Sequence, residues 1–396
     1  MAPPAHQERD GSTRTGRWVQ QQAGTDGYAA FIPEPLPPTP PLDLSGRIGG
    51  LLERASSSLG RLDGLSRGFD PDRLIYMYVR KEAVLSSQIE GTQSTLTELI
   101  EFENADAPGV PVEDVREVSR YANALRSAVE RLANGFPMSL RLIRETHSVL
   151  MTGGRGGHQD PGEFRRTQNW IGGTRPSTAR FVPPPPHELM RVLGELEQFV
   201  NEGDATPIIK AGLAHAQFET IHPFLDGNGR LGRMLITMIL CSERALSQPF
   251  LYLSLYFKLH REDYYAALQR VRATGDWEGW MAFYLEGVDW TARQTIDTTT
   301  ELLELFNADR DRVMTATRAT GTMRVYDEIQ RRVIVSIRRL AEALDLSVPT
   351  VTTALSRLVN LGIVRETTGR SYGRLFAYER QLEILNRTET VRRSTD

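Results

Sequence analysis

The sequence has only one cysteine, Cys241, among its 396 residues. A single thiol excludes an internal disulfide framework and a zinc site built from cysteines. Lysine is almost as scarce, with three lysines against 44 arginines. Any phosphate-binding site is therefore expected to use arginine side chains and backbone amides, and not the lysine of a phosphate-binding loop.

Long apolar runs are also missing. No stretch reaches the ~18 to 20 residues that a membrane-spanning helix requires, and the first 18 residues lack an apolar signal core. We therefore predict a cytoplasmic protein with no membrane partner. The formal net charge of −3 argues against binding nucleic acid along the whole chain. Residues 331–396, however, hold 12 arginines and seven acidic residues, and this balance of +5 indicates a basic C-terminal module.

The patterns along the chain predict a mainly α-helical protein with several domains. Residues 31–45 are rich in proline and are expected to lie extended over a surface. Between Gly153 and Pro186, the pieces TQNWIG and ARFV predict a β-hairpin among the helices. The predicted divisions are a disordered tail (1–30), an N-terminal helical region (31–110), a central helical domain (111–307) and a C-terminal domain (308–396).

One helical pattern, LIYMYVRKEAVLSSQIEGT, places four apolar residues on a single stripe. These residues are Leu74, Tyr78, Leu85 and Ile89. The helix is expected to end at Gly91, and Ser94 is expected to cap the helix that follows.

The segment HPFLDGNGRLGR (222–233) concentrates residue types that phosphate chemistry uses. Gly227, Asn228 and Gly229 lie between two predicted helices. Glycines allow the backbone to turn successive amides toward an anion, at the positive end of the second helix. Arg230 and Arg233 share a face of that helix and can both reach a polyphosphate.

The remaining special residues of this segment supply a metal ligand, a base and an anchor. Asp226 suits Mg²⁺ or Mn²⁺, since Mg²⁺ uses one or two carboxylates while substrate phosphates complete its shell. His222 can act as a general base near neutral pH. Phe224 is expected to hold the loop by burial. The combination predicts nucleotidyl or phosphoryl transfer.

Two other interpretations use the same residues. The segment could be a helix cap that only resembles an anion site. Alternatively, His215, His222 and Asp226 could form the site of a metal hydrolase, although His215 lies on an amphipathic helix and is expected to pack in the core.

At every specified position the segment matches HPFx(D/E)GNGRxxR, so the chain resembles the Fic proteins over roughly Phe31 to Trp290. The resemblance implies a Fic-fold helical bundle with a β-hairpin flap. It also implies an enzyme that transfers AMP from ATP to a Tyr, Thr or Ser hydroxyl of a target protein, itself included, and releases pyrophosphate. A homodimer is expected from the resemblance alone.

The resemblance assigns a role to each residue of the segment. His222 deprotonates the target hydroxyl, and Asp226 holds the metal against the α- and β-phosphates. The remaining roles are a phosphate cradle (Gly227, Asn228, Gly229), outer-phosphate binding (Arg230, Arg233), a wall of the adenine pocket (Tyr264) and a flap that registers the target segment by strand addition (Asn169, Trp170, Ile171, Gly172).

A second motif, SSQIEGT (86–92), resembles the inhibitory pattern (S/T)xxxE(G/N) through Ser86, Glu90 and Gly91. The resemblance implies that Glu90 pairs with Arg233 and blocks the γ-phosphate of ATP. A carboxylate and a phosphate compete for one guanidinium, which cannot satisfy both. Glu90 could instead be an ordinary acid at a helix end.

The C-terminal pattern predicts a winged helix-turn-helix. Two helices, IRRLAEALDL and VPTVTTALSRLVNLG, precede the strands IVRE and LFAYE around the wing TTGRSYGR. Ser347 is expected to cap the second helix, whose Val351, Leu355 and Leu358 face the core. In a DNA-binding interpretation, groove contacts come from Thr350, Thr352, Thr353 and Arg357, and phosphate contacts from Arg370 and Arg374. Docking to a protein fits the same pattern.

Three functions therefore remain open. The first is an autoinhibited protein adenylyltransferase, and the second is a DNA-binding regulator whose Fic domain senses nucleotide. The third is a Fic enzyme with another activity, namely transfer of UMP or phosphate or removal of AMP. The first is favoured because every catalytic residue type is present.

Overall fold

The computed structural model describes residues 14–23, 26–68, 72–104, 112–153, 160–369 and 373–387. Within these residues the chain is mainly α-helical, as predicted, with two small antiparallel sheets. No helix in this part of the chain combines the length and the apolar character that a membrane span requires.

The larger part of the chain is a helical bundle arranged around one central helix. That helix, Pro207–Ile221, is buried along its length because its sequence is apolar on nearly every side. In chain order the helices are α1 (Gly46–Ser66), α2 (Asp72–Ile89), α3 (Leu96–Asn104), α4 (Val112–Ala133), α5 (Leu140–Met151), α6 (Pro186–Glu202), α7 (Pro207–Ile221), α8 (Asn228–Ser242), α9 (Ser254–Leu259), α10 (Arg261–Thr274) and α11 (Trp277–Ala316).

Helix α2 buries the predicted stripe of Leu74, Tyr78, Leu85 and Ile89. The chain leaves it through Gly91, whose φ of 101° favours glycine.

The cap of the following helix was predicted wrongly. Thr95, and not Ser94, caps α3: its hydroxyl accepts from the Glu98 amide, while the Glu98 carboxylate accepts from the Thr95 amide. This reciprocal capping box satisfies two helix-end amides, which a serine one residue earlier cannot do.

The prediction of a disordered tail is wrong for part of residues 1–30. Strands β1 (Gly16–Ala23) and β2 (Asp26–Pro33) form an antiparallel hairpin in which Trp18 faces Phe31. Both rings contact Phe181, at centroid distances of 6.1 and 5.8 Å. The hairpin therefore depends on an aromatic contact 150 residues away in sequence, which its own glutamine-rich strands do not reveal. Residues 1–13 lie outside the described residues.

The segment between α5 and α6 is more irregular than the predicted hairpin. Among the described residues of this segment only one bridge forms, in which Ile171 pairs with Phe181, and a short 3₁₀ helix at Pro176–Thr178 lies between them. Gly172 and Gly173 both have positive φ. Glycines and prolines weaken a strand ladder, which explains why the pairing does not extend.

The C-terminal elements form the predicted winged helix-turn-helix. Ser347 caps its second helix by accepting from the Thr350 amide, and Val351, Leu355 and Leu358 are buried. The sequence patterns missed the first helix, the first strand and the last helix, and Arg370 lies outside the described residues. The elements are α12 (Thr320–Arg332), β3 (Ile334–Ser336), α13 (Ile337–Leu344), α14 (Val348–Asn360), β4 (Arg365–Glu366), β5 (Leu375–Ala377) and α15 (Glu379–Arg387), with sheet order β3-β5-β4.

The predicted domain boundaries do not coincide with breaks in secondary structure. The boundary at 307/308 falls within α11, whose 40 residues run from the bundle into the C-terminal elements. The boundary at 30/31 falls within β2, and that at 110/111 lies outside the described residues. The buried residues of the bundle and of the C-terminal elements belong to one continuous hydrophobic core.

Candidate active site

A cavity of about 630 Å³ opens between the end of α2, the α7–α8 loop, the flap and α10. Most of the sequence-predicted site residues line it. Phe224, Ser86 and Asn169 lie behind its walls. The lining residues that the sequence had singled out are Glu90, Trp170, Ile171, Gly172, His222, Asp226, Gly227, Asn228, Gly229, Arg230, Arg233 and Tyr264.

The α7–α8 loop is held in shape by its own side chains. His222 ends α7 with a left-handed φ of 49°, and Gly227 turns the chain again with a φ of 77° just before α8. The Asn228 side chain closes the loop, since its Oδ1 accepts from the Phe224 amide and its Nδ2 donates to the Phe224 carbonyl, both at 2.8 Å. Asn228 therefore supports the loop from within.

Phe224 is fully buried and stacks on His147, with 3.7 Å between ring centroids. His147 Nδ1 accepts from the Gly162 amide, so its Nε2 carries the proton and donates to the Asp226 carbonyl at 3.0 Å. Burial lowers the pKa of His147 to about 4, which keeps this ring neutral. A neutral histidine thus fixes the loop from below.

The residues at the start of α8, where the sequence predicts an anion cradle, line the cavity. The Gly227 amide donates to Asp226 Oδ1 at 2.6 Å. The amides of the first helical turn have no carbonyl of the same helix to bind, and they point toward the positive end of the helix dipole. An anion at this position would meet both the amides and the arginines of α8.

Arg233 is 2% exposed and bonds three groups at the end of α2. It donates to Glu90 Oε1 at 2.7 Å, to the Ser86 hydroxyl at 2.8 Å and to the Ser86 carbonyl at 3.0 Å. Burial raises the pKa of Glu90, but the Arg233 guanidinium outweighs it and holds that pKa below its usual value. The structure thus pairs the two residues that the sequence motif linked across 143 positions.

Gly229 makes room for this pairing. A Cβ at this position would lie 2.3 Å from Glu90 Oε1, closer than any side chain tolerates. The second glycine of the loop therefore admits Glu90 as well as an anion to the same space.

Arg230 is paired with a residue that the sequence did not single out. Its Nη1 lies 2.5 Å from Glu117 Oε1 of α4, and both side chains are at most 10% exposed. Asp226 Oδ1 is 3.7 Å from Arg230 Nη2. Both loop arginines therefore have a carboxylate partner before any phosphate arrives.

His222 lies between two buried guanidiniums. Arg165 donates to the His222 carbonyl at 3.0 Å, and Arg272 donates to the Glu219 carbonyl at 2.9 Å. Burial lowers the pKa of His222 to about 3, and the charges of Arg272 and Arg165 add to this shift. The imidazole is neutral at pH 7 and is therefore in the form that accepts a proton.

Glu219 is a buried acid on the last turn of α7 that also lines the cavity. Its Oε2 is 4.0 Å from His222 Nδ1, and its Oε1 has no hydrogen-bond partner. Burial raises the pKa of this carboxyl to about 7, against the pull of Arg233.

His215 is placed where a metal ligand cannot act. Its Nδ1 donates to the Gly232 carbonyl at 2.8 Å, so its Nε2 accepts from the Tyr264 hydroxyl at 2.9 Å. Burial lowers the pKa of His215 to about 3. Both ring nitrogens are engaged, and the part of the chain that the structure describes holds no cluster of three or more candidate metal ligands. These observations contradict the metal-hydrolase alternative.

Asp226 fits the one-carboxylate mode of magnesium binding. Its side chain is 44% exposed within the cavity, beside the amide cradle. A single oxygen donor cannot hold the ion alone, but substrate phosphates complete the shell of Mg²⁺ in such sites. The donor set therefore suits a metal that arrives with a nucleotide.

The flap is tied to the loop by Asn169. Its Nδ2 donates to the carbonyls of His222 and Phe224, at 3.0 and 2.9 Å. The neighbouring Trp170 is 37% exposed and lines the cavity. The backbone of Ile171 is engaged in the bridge to Phe181.

Five residues that shape this site were not predicted from the sequence. Glu219 could have been noticed, because its spacing of three from His222 places both side chains on one helix face. The others come from distant segments and carry no local signal. The missed residues are Glu117, His147, Arg165, Glu219 and Arg272.

Comparison with protein families matches residues 50–130 to the Fic/DOC family N-terminal model and residues 137–240 to the Fic/DOC family model. The chain carries a Fic domain. Residues 322–365 match the winged helix-turn-helix DNA-binding model, so this Fic domain is followed by a winged helix.

Two proteins named protein adenylyltransferase Fic are similar to the chain. The one from Drosophila grimshawi is 32% identical over 161 residues, and the one from Aedes aegypti is 34% identical over 171 residues. These alignments cover 38% and 42% of this chain, but only 31% and 30% of those proteins. The chain thus matches about a third of the length of these relatives.

The fold is similar to that of a Fic family protein from Desulfovibrio desulfuricans G20. The TM-score is 0.57 at 21% identity, over 85% of this chain and 97% of that chain. At this level of identity the likeness concerns the fold alone.

The raised pKa of Glu219 predicts a pH-dependent difference in stability between the wild type and Glu219→Gln. Because the folded pKa of about 7 exceeds the usual 4.5, the stability that this group contributes is complete below pH 4.5 and is lost as the pH rises through 7. The glutamine variant lacks this loss. Measured by urea unfolding, the free energy of unfolding of the variant should rise by about 1.4 kcal/mol relative to that of the wild type between about pH 6 and 8.5.

Glu202→Gln, at an exposed helix end, is the matched control. Its free energy of unfolding should differ from that of the wild type by the same amount across this pH range. A constant difference for Glu219→Gln would show that this carboxyl is ionised across the whole range.

Proposed function

We propose that the protein is an autoinhibited protein adenylyltransferase, which transfers AMP from ATP to a Tyr, Thr or Ser hydroxyl of a target protein. The observation that carries the proposal is the convergence of His222, Asp226 and the amides of α8 on one cavity, with Glu90 bonded to Arg233 beside them. The names of the similar proteins support the same activity. A cytoplasmic location and a homodimer stay predictions.

In this proposal the cradle and the arginines position the triphosphate. The amides of Asn228 and Gly229 bind the inner phosphates. Arg230 and Arg233 bind the outer phosphates after they separate from their carboxylate partners, Glu117 and Glu90. Asp226 would hold Mg²⁺ or Mn²⁺, which neutralises phosphate charge when bound. The innermost phosphorus is then oriented toward His222.

His222 accepts the proton of the target hydroxyl while the hydroxyl oxygen attacks the α-phosphorus. A new P–O bond forms to the target, the bond between the α-phosphorus and the bridging oxygen breaks, and pyrophosphate leaves with the electron pair. The negative charge of the bound triphosphate offsets Arg272 and Arg165. This raises the basicity of a histidine that burial and the two guanidiniums otherwise keep neutral.

Glu90 inhibits the reaction by occupying Arg233. The guanidinium is buried and already satisfied by Glu90 and Ser86, so Arg233 cannot bind the γ-phosphate until Glu90 leaves. A misplaced γ-phosphate turns the α-phosphorus away from the incoming hydroxyl, because the bonds of the triphosphate couple their positions.

Replacing Glu90 with glycine is expected to raise AMP transfer by about tenfold or more, the range that loss of one charge-assisted hydrogen bond allows. His222→Ala in that background should lower the rate by about 100-fold or more, because it removes the general base. The measurement is incorporation of AMP from radiolabelled ATP into the chain itself or a target. Glu202→Gly, a glutamate exposed at another helix end, should leave the rate unchanged. Equal rates for Glu90→Gly and wild type would reject the inhibitory role and leave the activity to be judged from His222.

Another transferred group is distinguished by mass. Incubation of Glu90→Gly with ATP, UTP and Mg²⁺ should add the mass of AMP to a hydroxyl side chain. A mass increase equal to phosphate or UMP would identify one of the other Fic activities, and no increase would favour a nucleotide sensor.

DNA binding is a second candidate function, which concerns the winged helix. The exposed residues of α14 include Thr350, Thr353 and Arg357, on the side opposite its buried stripe. This arrangement is that of a recognition helix.

Thr350→Glu combined with Thr353→Glu should abolish DNA binding by the full chain, because two carboxylates would meet the phosphate backbone. Mobility shifts at about 50 and 200 mM salt measure this, and affinity should fall as salt rises. Thr300→Glu, exposed on α11, is the control and should bind as the wild type does. Binding that survives the double substitution, or no shift for the wild type at either salt concentration, would favour protein docking.

A further inference from the structure

Helix α2 contacts the active site at one end and the C-terminal elements on its opposite side. Past one end, Glu90 and Ser86 contact Arg233 in the active site. The other side packs against the winged-helix unit, defined here as residues 320–387, through α12. The inhibitory residues therefore lie at the end of the same helix against which the winged-helix unit packs.

Lys81 marks the second contact. It lies five residues before Ser86 and nine before Glu90, roughly 140° and 180° around an α-helix, so it projects from the side opposite the active site. It is 0% exposed, and its Nζ donates to the Leu385 carbonyl at 2.6 Å. Few positions in a protein bury a lysine completely, and those that do require a partner.

The partner is the last turn of α15. The final carbonyls of a helix have no amide of the same helix to bind, and they carry the negative end of its dipole. A lysine that caps them with a charged donor is both paired and stabilised. Its Nζ also lies 4.6 Å from the centre of the Tyr252 ring. Lys81 thus fastens α2 to the end of the winged-helix unit.

Further contacts make the connection stiff. Tyr76 and Arg80 of α2 both bind Glu103 of α3 at 2.5 Å, and α3 packs against β3 of the winged-helix unit. The α11 helix runs through both parts of the chain, and their buried residues form one core. The winged-helix unit is therefore part of the body that sets the position of α2.

We infer that the winged-helix unit holds α2 where Glu90 reaches Arg233, so that a partner which shifts this unit releases the inhibition. This inference rests on the proposed inhibitory role of Glu90. It adds the route by which the inhibition is controlled: from the winged helix through α15 and Lys81 to Glu90 and the γ-phosphate site. The coupling is reciprocal, because a change at one end of a shared equilibrium biases the other.

Lys81→Met tests the route because methionine fills a similar volume without a donor or a charge. Loss of the hydrogen bond from Lys81 to the Leu385 carbonyl weakens the contact that positions α2, and Glu90 then leaves Arg233 more often. We expect AMP transfer to rise by about fivefold, the effect that loss of about one hydrogen bond allows. In a Glu90→Gly background the same substitution should change nothing, because no inhibitory contact remains to be released. Lys81→Gln, which keeps a donor but no charge, should give a smaller increase and serves if methionine prevents folding.

Lys210→Met is the matched control. Lys210 is also a buried lysine, but it pairs with Glu243 at 2.5 Å within the Fic domain and away from α2. It should not activate the enzyme. Equal activation by Lys81→Met and Lys210→Met, or activation of the Glu90→Gly chain by Lys81→Met, would overturn the inference. If Glu90→Gly itself transfers no AMP, the proposed function is rejected. The coupling between the winged-helix unit and Glu90 is then judged from hydrogen exchange alone.

Hydrogen exchange tests the reverse direction without any change at Lys81. If the two ends are coupled, Glu90→Gly should measurably alter the protection of the backbone amides in α15. Unchanged protection of α15 alongside altered protection at the end of α2 would show that the two ends are independent.

Discussion

Arg233 is a buried cation, and a buried cation must be compensated by the groups around it. An unpaired guanidinium at 2% exposure would be strongly destabilising, whereas one with a carboxylate and further acceptors is tolerated. The chain meets this requirement with Glu90 and Ser86, and a triphosphate would meet it with its outer phosphate. In the proposed inhibition only one of these anions binds Arg233 at a time, so the requirement that stabilises the fold would also regulate the site.

The α7–α8 loop supports the pairing of Arg233. Asn228 closes the loop through the Phe224 backbone, and His147 supports it from below. Gly229 leaves the space in which either Glu90 or an anion fits. The electrostatic balance is maintained by four acids and four arginines around one cavity, so the arrival of a highly charged nucleotide must rearrange several pairs. We expect this exchange of partners, and not a large motion of the fold, to separate the inhibited from the active state.

The sequence predicted those features that depend on short patterns. The helices follow from periodicity and the α7–α8 loop from a motif of fixed spacing, while the pairing of Glu90 with Arg233 was implied by the resemblance to Fic proteins. Contacts between distant segments were not predictable in this way. The Trp18, Phe31 and Phe181 cluster turns a predicted tail into a hairpin, and Glu117 and Arg272 reach the site from helices with no local signal. The predicted Ser94 cap also failed, because Thr95 competes with Ser94 for the same helix start, whereas the predicted Ser347 cap was correct.

The most direct test of the account is a crystal structure of Glu90→Gly with ATP and Mg²⁺. The account predicts that Arg233 binds the outer phosphate and that the amides at the start of α8 bind the inner ones. The α-phosphorus should then face His222. Nucleotide bound elsewhere, or Arg233 still turned toward α2 with the outer phosphate in solvent, would contradict the competition on which the account depends.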